Sequence, residues 1–210
     1  MAGVTTAGRS GPDLELAGLD LVRSRLRDSI AVKQAMTDDR VLDQVVEIAG
    51  VIVDTLRNGG KVIFFGNGGS SMDAGHLAAE LTGRYAYDRP GLAAFSISDS
   101  TAAMTAIGND YSYADVFSRQ VLALGRPGDV VVGLTTSGNS DNVVQALSAA
   151  QDAGMVTVAL TGRCGGRVAD VARFSVQVPS DDTPRVQEAC LHLGHSICEL
   201  VEATMFPRSR

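Results

Sequence analysis

The chain has 210 residues, of which 45% are hydrophobic and 20% charged, and its formal net charge is −6. This length predicts one substantial core, and no segment approaches the roughly 18 apolar residues that a membrane-spanning helix needs. The acidic balance argues against nucleic acid or an anionic membrane as the main partner. A phosphate site in this protein would therefore depend on local N–H groups and hydroxyls.

The cysteines and the N-terminus indicate a cytoplasmic protein. Cys164, Cys190 and Cys198 form no C-x-x-C pair. A sparse, odd set of cysteines in a chain without a signal peptide is typical of reduced thiols. Residues 1–12 lack the apolar stretch of a signal peptide, and we predict that they form a disordered tail.

Residues 13–58 predict two helices before the first strand. Helical apolar spacing covers residues 13–36, and Asp38 or Asp39 can cap a second helix that ends before Asn58-Gly59-Gly60. We interpret this pair as an arm used in oligomerisation. The alternative is that the two helices simply cover the sheet.

From residue 61 onward, strand and helix patterns alternate. Strands are predicted at 62–65, 92–97, 130–134, 156–160 and 174–178, and helices at 71–82, 101–107, 114–124, 140–153, 167–172 and 184–205. Apolar strands separated by helices indicate a parallel sheet covered on both faces. We therefore predict an α/β fold, a five-stranded doubly wound sheet with strand order 2-1-3-4-5. Ligands bind such sheets beyond the carboxyl ends of the strands, here between strands 1 and 3.

A glycine-rich loop, Gly66-Asn67-Gly68-Gly69, follows the first strand and leads into a helix. Glycines let the backbone approach a ligand, and the first N–H groups of the helix point at it. One turn further on, His76 and Glu80 share a helix face at i, i+4 spacing. A phosphate cradle beside a His/Glu pair indicates a phosphorylated substrate and proton-transfer or metal chemistry.

A second loop of donors, residues 135–140, follows the third strand. Its hydroxyls can bind an oxyanion without adding positive charge, although Ser140 or Asn139 could equally be an ordinary N-cap. Two such loops beside the predicted switch point favour phosphate. Neither the dinucleotide fingerprint nor a P-loop lysine is present. The expected ligand is a sugar phosphate or a similar small monoester.

The last helix and one short turn add further candidates. Gln187 and His195 lie on one stripe of the last helix, and with His76 and Glu80 they would suit zinc. About 12 Å of ideal helix separates them, a distance that an irregular helix or a site assembled across subunits would ease. Asn109-Asp110 is either a turn or part of the same cleft, and spacing leaves this open.

Several motifs together resemble the bacterial phosphoheptose isomerases, which belong to the sugar isomerase (SIS) superfamily. The resemblance covers roughly residues 20–206 and rests on G-N-G-G-S at 66–70, H-x-x-x-E at 76–80, E-L-T-G-R-Y at 80–85, T-S-G-N-S at 136–140, L-T-G at 160–162, and R-V-Q-E at 185–188 followed by His195. It implies one SIS domain over residues 13–210, and a homotetramer with active sites at subunit interfaces and one Zn²⁺ per site.

The family resemblance implies an intramolecular oxidoreductase. The reaction would convert D-sedoheptulose 7-phosphate to D-glycero-D-manno-heptose 7-phosphate through an enediol, the first step of nucleotide-activated heptose synthesis. Glu80 would be the base and His195 the acid. The implied metal ligands are His76, Glu80, Gln187 and His195. The implied substrate contacts are Asn67, Gly68, Gly69, Ser70, Glu80, Asn109, Asp110, Thr135, Thr136, Ser137, Ser140 and Gln187.

The chain departs from the family pattern at a few positions. Thr135 stands where the family often has Ser, and Ser71 and Cys190 stand where many relatives have His. Pro184 stands where several relatives have Asp, and its side chain cannot make a polar contact to the sugar. Two alternatives follow: a SIS isomerase of another phosphosugar, and a non-catalytic, sugar-phosphate-sensing regulator that binds a replication-initiation protein.

Overall fold

The computed structural model describes residues 12–208, with side chains from Leu16 onward. Two helices come first, α1 (Pro12–Ala35) and α2 (Asp39–Arg57). Apart from Pro12, which begins α1, the predicted tail lies outside the described residues. Asp38 caps α2 by accepting the N–H of Arg40 at 3.1 Å, which decides between the two capping residues left open above. Within residues 12–208, no helix combines the length and apolar character that crossing a membrane requires.

The sheet has five strands, β1 (Val62–Gly66), β2 (Ala94–Ser96), β3 (Val130–Thr135), β4 (Val156–Thr161) and β5 (Phe174–Gln177). All neighbours are parallel, and the order is β2-β1-β3-β4-β5. The predicted fold class and strand order are confirmed. Because Gly66 at the end of β1 pairs with Leu134 near the end of β3, the loops that follow these strands leave the sheet at the same level.

The remaining helices are α3 (Gly69–Thr82), α4 (Thr101–Asp110), α5 (Ser118–Leu124), α6 (Asp141–Asp152), α7 (Val168–Val171) and α8 (Thr183–Met205). They cover the sheet in two layers, as the alternation of side chains along β1 requires. Val62 and Phe64 pack with α2, α3 and α8, whereas Ile63 and Phe65 pack with α5 and α6. The helices α3 and α8 therefore lie on the same face of the sheet.

A glycine sets the distance between α3 and α8. A Cβ built on Gly194 would lie 2.5 Å from Cδ1 of Leu77, so only glycine allows this approach. Gly194 precedes His195, and Leu77 follows His76. The close contact therefore occurs at the turns that carry the two predicted site histidines.

Two predicted elements differ from the structure. The helix predicted over 114–124 is divided into a 3₁₀ turn, Tyr113–Asp115, and α5. The hydroxyl of Ser112 accepts the Ala114 N–H at 3.1 Å and donates to the Asp115 carboxylate at 2.6 Å, a local arrangement that competes with a helix. The strand predicted over 92–97 is only three residues long, because Ser96 caps a 3₁₀ turn directly after it.

Candidate active site

The loop after β1 leaves backbone donors without a partner. Gly68 stands at the N-cap of α3 with φ of 56°, and it has no side chain with which to cap the helix. Within residues 12–208, the backbone N–H groups of Asn67, Gly68 and Gly69 make no hydrogen bond. Unsatisfied N–H groups at a helix N-terminus are a ready-made site for an anion.

The loop after β3 has the same property. Ser140 occupies the N-cap of α6 without making a side-chain cap bond, and its hydroxyl lies 3.2 Å from that of Thr135 instead. The N–H groups of Thr136, Ser137 and Ser140 meet no protein acceptor in the described part of the chain. The ordinary N-cap considered for Ser140 is thus not formed, and its hydroxyl faces the loop.

Two amide side chains join these loops. Asn67 donates to Oδ1 of Asn142 at 2.8 Å and accepts from its Nδ2 at 2.9 Å, and the Tyr113 hydroxyl also donates to Asn67 at 2.9 Å. The Oδ1 of Asn67 is fully used, so one amide N–H remains for a ligand. Neither Asn142 nor Tyr113 is among the site residues that the sequence predicts. The place of Asn142 just after the hydroxyl-rich loop was its one local signal, and Tyr113 offered none.

The two predicted histidines and the glutamate meet at one point. The Nε2 atoms of His76 and His195 are 2.8 Å apart, and Glu80 Oε1 lies 3.3 Å from Nε2 of His76. One ligand atom from each residue lies within 4.8 Å of the other two. Glu80 and His195 are half-buried, while His76 is exposed. Two imidazole nitrogens and a carboxylate are the donors that a zinc-type metal takes, so these residues can hold a metal.

Burial, followed by the neighbouring His76, lowers the pKa of His195 below its ordinary value. This shift favours the neutral imidazole of His195 at neutral pH. A neutral imidazole is the form that binds a metal or donates a single N–H to an oxygen. Both the position and the charge state of His195 thus suit a site for metal or proton transfer.

Gln187 lies beside the first loop, about two turns of α8 before His195. A Cβ on Gly69 would collide with the Gln187 side-chain amide, so the absence of a side chain at Gly69 makes room for it. Asp73, one turn before His76, also faces Gln187. Burial raises the pKa of Asp73, while the nearby Gln187 amide and the two nearby histidines oppose that rise. Gln187 thus connects the glycine-rich loop with the side of α3 that carries His76.

Asn109 and Asp110 lie apart from these contacts. They end α4, both are exposed, and the Asn109 amide donates to the Asp110 carboxylate at 2.8 Å. Among residues 12–208, no hydrogen bond connects either side chain with the two loops. Whether they line the cleft, as the resemblance implies, stays a prediction.

The comparisons with known proteins agree with this geometry. The family model of the SIS domain matches residues 27–162. The phosphoheptose isomerase of Aquifex aeolicus is 48% identical over 191 residues, which are 91% of this chain and 100% of that protein. That of Akkermansia muciniphila is 51% identical over 77% of this chain and 86% of its own length. The structure of a phosphoheptose isomerase from Neisseria gonorrhoeae superposes with a TM-score of 0.83 at 41% identity, covering 88% of this chain and 98% of its own.

The fold and the two donor-rich loops are thus those of a SIS-domain protein. The similarity extends over nearly the whole length of two of these relatives, so the chain can be assigned to one family within the SIS-domain class. The chain belongs to the phosphoheptose isomerase family, as its motifs predicted.

Proposed function

We propose that this protein isomerises D-sedoheptulose 7-phosphate to D-glycero-D-manno-heptose 7-phosphate. The observation that carries the proposal is the meeting of the Glu80 carboxylate and the His195 imidazole, which come from different helices. The helix that carries Glu80 begins at a glycine-rich loop with unpaired N–H groups. The heptose substrate is proposed from the names of the related proteins. The assignment of roles to individual residues is proposed from the geometry of the site.

The two loops would bind the phosphate. Unpaired N–H groups after β1 and β3, together with the hydroxyls of Ser70, Thr135, Thr136, Ser137 and Ser140, lie at or just after the ends of the two strands. Backbone dipoles of this kind bind a phosphate in a protein whose net charge is −6 without a cluster of basic side chains. The substrate would therefore be anchored at its phosphate, with the sugar carbons extending toward Glu80 and His195.

The chemistry needs a base over a carbon and a donor for the neighbouring oxygen. Glu80 would remove the proton from the carbon next to the carbonyl, and the enediol would be reprotonated on the adjacent carbon. The neutral His195 would move protons between the two oxygens. Half-burial of both groups limits the water that competes for these protons.

We further propose that the site holds one Zn²⁺. His76, Glu80, Gln187 and His195 would be its ligands, and the observed His/Glu/His cluster supports three of the four. Bound there, zinc would polarise the sugar carbonyl. Gln187, on the side of the cluster next to Gly69, would complete the ligand set and contact the substrate.

We also propose that residues 13–210 form one SIS domain that assembles as a homotetramer through the arm, residues 13–58. One side of α1 keeps large apolar residues exposed, among them Leu19, Val22, Leu26 and Ile30. An apolar stripe of this size on a helix is typical of a subunit interface. Light scattering would give the mass of the assembly, and a monomer would contradict this part of the proposal.

A direct assay tests the proposed reaction. Purified protein is incubated with sedoheptulose 7-phosphate, with fructose 6-phosphate or with an amino-sugar phosphate, and the aldose products are separated. We expect turnover of the heptulose phosphate alone. Turnover of a hexose phosphate only would indicate another SIS isomerase. Binding without turnover of any of them, in protein supplied with zinc, would favour the regulator.

A further inference from the structure

A buried ion pair lies behind the site, between the segment after α3 and the end of α8. Arg89 Nε donates to Glu202 Oε2 at 2.8 Å, and each side chain is only 1% exposed. Neither residue belongs to the proposed catalytic or metal-binding set. Their contacts nevertheless lead directly to it.

Arg89 binds the carboxyl end of α3. Its Nη2 donates to the carbonyl of Glu80 at 2.8 Å, and its Nη1 donates to those of Leu81 at 2.7 Å and Gly83 at 3.1 Å. The last carbonyls of a helix have no partner within the helix, and a positive charge there is favourable. The guanidinium thus closes the final turn of α3, which is the turn that carries Glu80.

Glu202 binds the next part of the same segment. Its two carboxylate oxygens accept the backbone N–H groups of Tyr85 at 2.8 Å and Ala86 at 2.7 Å. The Tyr85 ring then packs beside the His195 imidazole, with the ring centroids 5.8 Å apart. Glu202 therefore fixes the backbone of the residue whose ring limits the movement of His195.

Stability alone is a weak explanation for this arrangement. Burying two charges carries a large desolvation cost, and apolar pairs of similar volume are often as stable or more so. An apolar pair could not form hydrogen bonds with the backbone at the end of α3 and at Tyr85. Arg89 binds the backbone of Glu80, and Glu202 binds the backbone of Tyr85, whose ring packs beside His195.

We propose that Arg89 and Glu202 are positioning residues that hold Glu80 and His195 at their working separation. This inference rests on the proposed isomerase function. Because a misplacement of about 1 Å can reduce turnover roughly 100-fold, loss of the pair should lower kcat far more than it raises KM. The phosphate loops lie at the opposite end of α3 and should still bind substrate.

The test compares Arg89→Lys and Glu202→Gln with Val121→Ala. Val121 is buried in α5, which carries no site residue, so its truncation lowers stability without touching the pair. Kinetics are measured at a temperature where circular dichroism shows all proteins folded. We expect kcat to fall about 10- to 100-fold in the two pair variants, with KM changed less than threefold, and to stay within threefold in Val121→Ala. Equal effects in all three variants, or a rise in KM alone, would overturn the proposal.

A second measurement keeps this inference separate from the proposed reaction. The imidazole signals of His76 and His195 are recorded by NMR in metal-free protein. If the pair positions Tyr85, the His195 signals shift in Glu202→Gln and stay unchanged in Val121→Ala. Unmoved His195 signals would contradict the positioning role even in an active enzyme. Shifted signals in a protein that turns over no heptulose phosphate would leave the positioning intact and refute only the proposed reaction.

Discussion

The two ends of the sheet differ in whether their polar groups have hydrogen-bond partners within the protein. At the amino end, the buried Asp129 accepts the Lys61 N–H at 3.0 Å, the Lys61 ammonium at 2.6 Å and the Arg126 N–H at 2.7 Å. At the carboxyl end, several N–H groups in the loops after β1 and β3 have no acceptor in residues 12–208. Groups satisfied within the protein contribute to stability, whereas unsatisfied ones are available to a ligand. The comparison predicts that substitutions of Asp129 affect folding, whereas substitutions of ligand-binding or catalytic side chains affect the reaction.

The largest expected effect is on turnover, from Glu80→Gln. The amide keeps the size of the side chain but cannot remove a proton from carbon, so we expect kcat to fall by a factor of about 10² to 10⁴. Binding of the sugar phosphate, measured by calorimetry, should change little. Glu199→Gln on the exposed side of α8 is the matched control. Retained turnover in Glu80→Gln would exclude Glu80 as the base.

At the amino end, Asp129→Asn should have the opposite profile. It leaves the Lys61 ammonium, which is 22% exposed, without its partner and weakens two backbone hydrogen bonds. Discounted for the partial exposure of Lys61, the loss in the free energy of unfolding should be about 2 kcal/mol. Urea denaturation measures this loss. A fall in kcat of the folded protein would contradict the prediction that Asp129 affects only stability.

Between these extremes, Asn142→Ala should affect substrate binding. The substitution removes both hydrogen bonds to Asn67, so the two loops lose their direct connection. We expect KM to rise about 10-fold with kcat nearly kept, and stability to fall by about 1 kcal/mol. Tyr113→Phe removes one bond to the same amide and should raise KM less. If KM is unchanged in Asn142→Ala, the amide pair does not set the spacing of the loops.

The smallest expected effect is a pH dependence of stability that arises from Glu202. Burial alone would raise its pKa, but hydrogen bonds from the Ala86 and Tyr85 backbone and from Arg89 outweigh burial, and the pKa lies below the ordinary 4.5. The carboxyl group therefore binds protons more weakly in the folded state than in the unfolded state. Its contribution to stability is present above pH 4.5 and is lost as the pH falls through the lower, folded pKa.

Urea denaturation between pH 3 and pH 6 checks this last prediction. The stability of the wild-type protein should decline more steeply with acid than that of Glu202→Gln, which has no carboxylate to protonate. Parallel curves for the two proteins would show that Glu202 is not linked to folding in this pH range.

Local sequence patterns were sufficient for most of the fold. The apolar runs located all five strands, and their alternation with helices predicted the order 2-1-3-4-5. Glycines and hydroxyls at the ends of β1 and β3 located both donor-rich loops. These predictions succeeded because strand and helix periods, and the torsional freedom of glycine, depend on neighbouring residues. The prediction over 114–124 was wrong where Ser112 forms a local turn, which a count of apolar residues does not detect.

The pairings across the chain were decided by the tertiary structure. The sequence placed His76 and Glu80 on one helix face and indicated His195 as a candidate. It could not show whether His195 lies close to the other two. Only the packing of α8 on α3, with Gly194 against Leu77, brings imidazoles 119 residues apart to 2.8 Å. The Asn67–Asn142 and Arg89–Glu202 pairs depend in the same way on how whole elements pack. Periodicity therefore determined the elements and the loops between them, whereas the meeting of distant side chains was decided by close packing of the helices on the sheet.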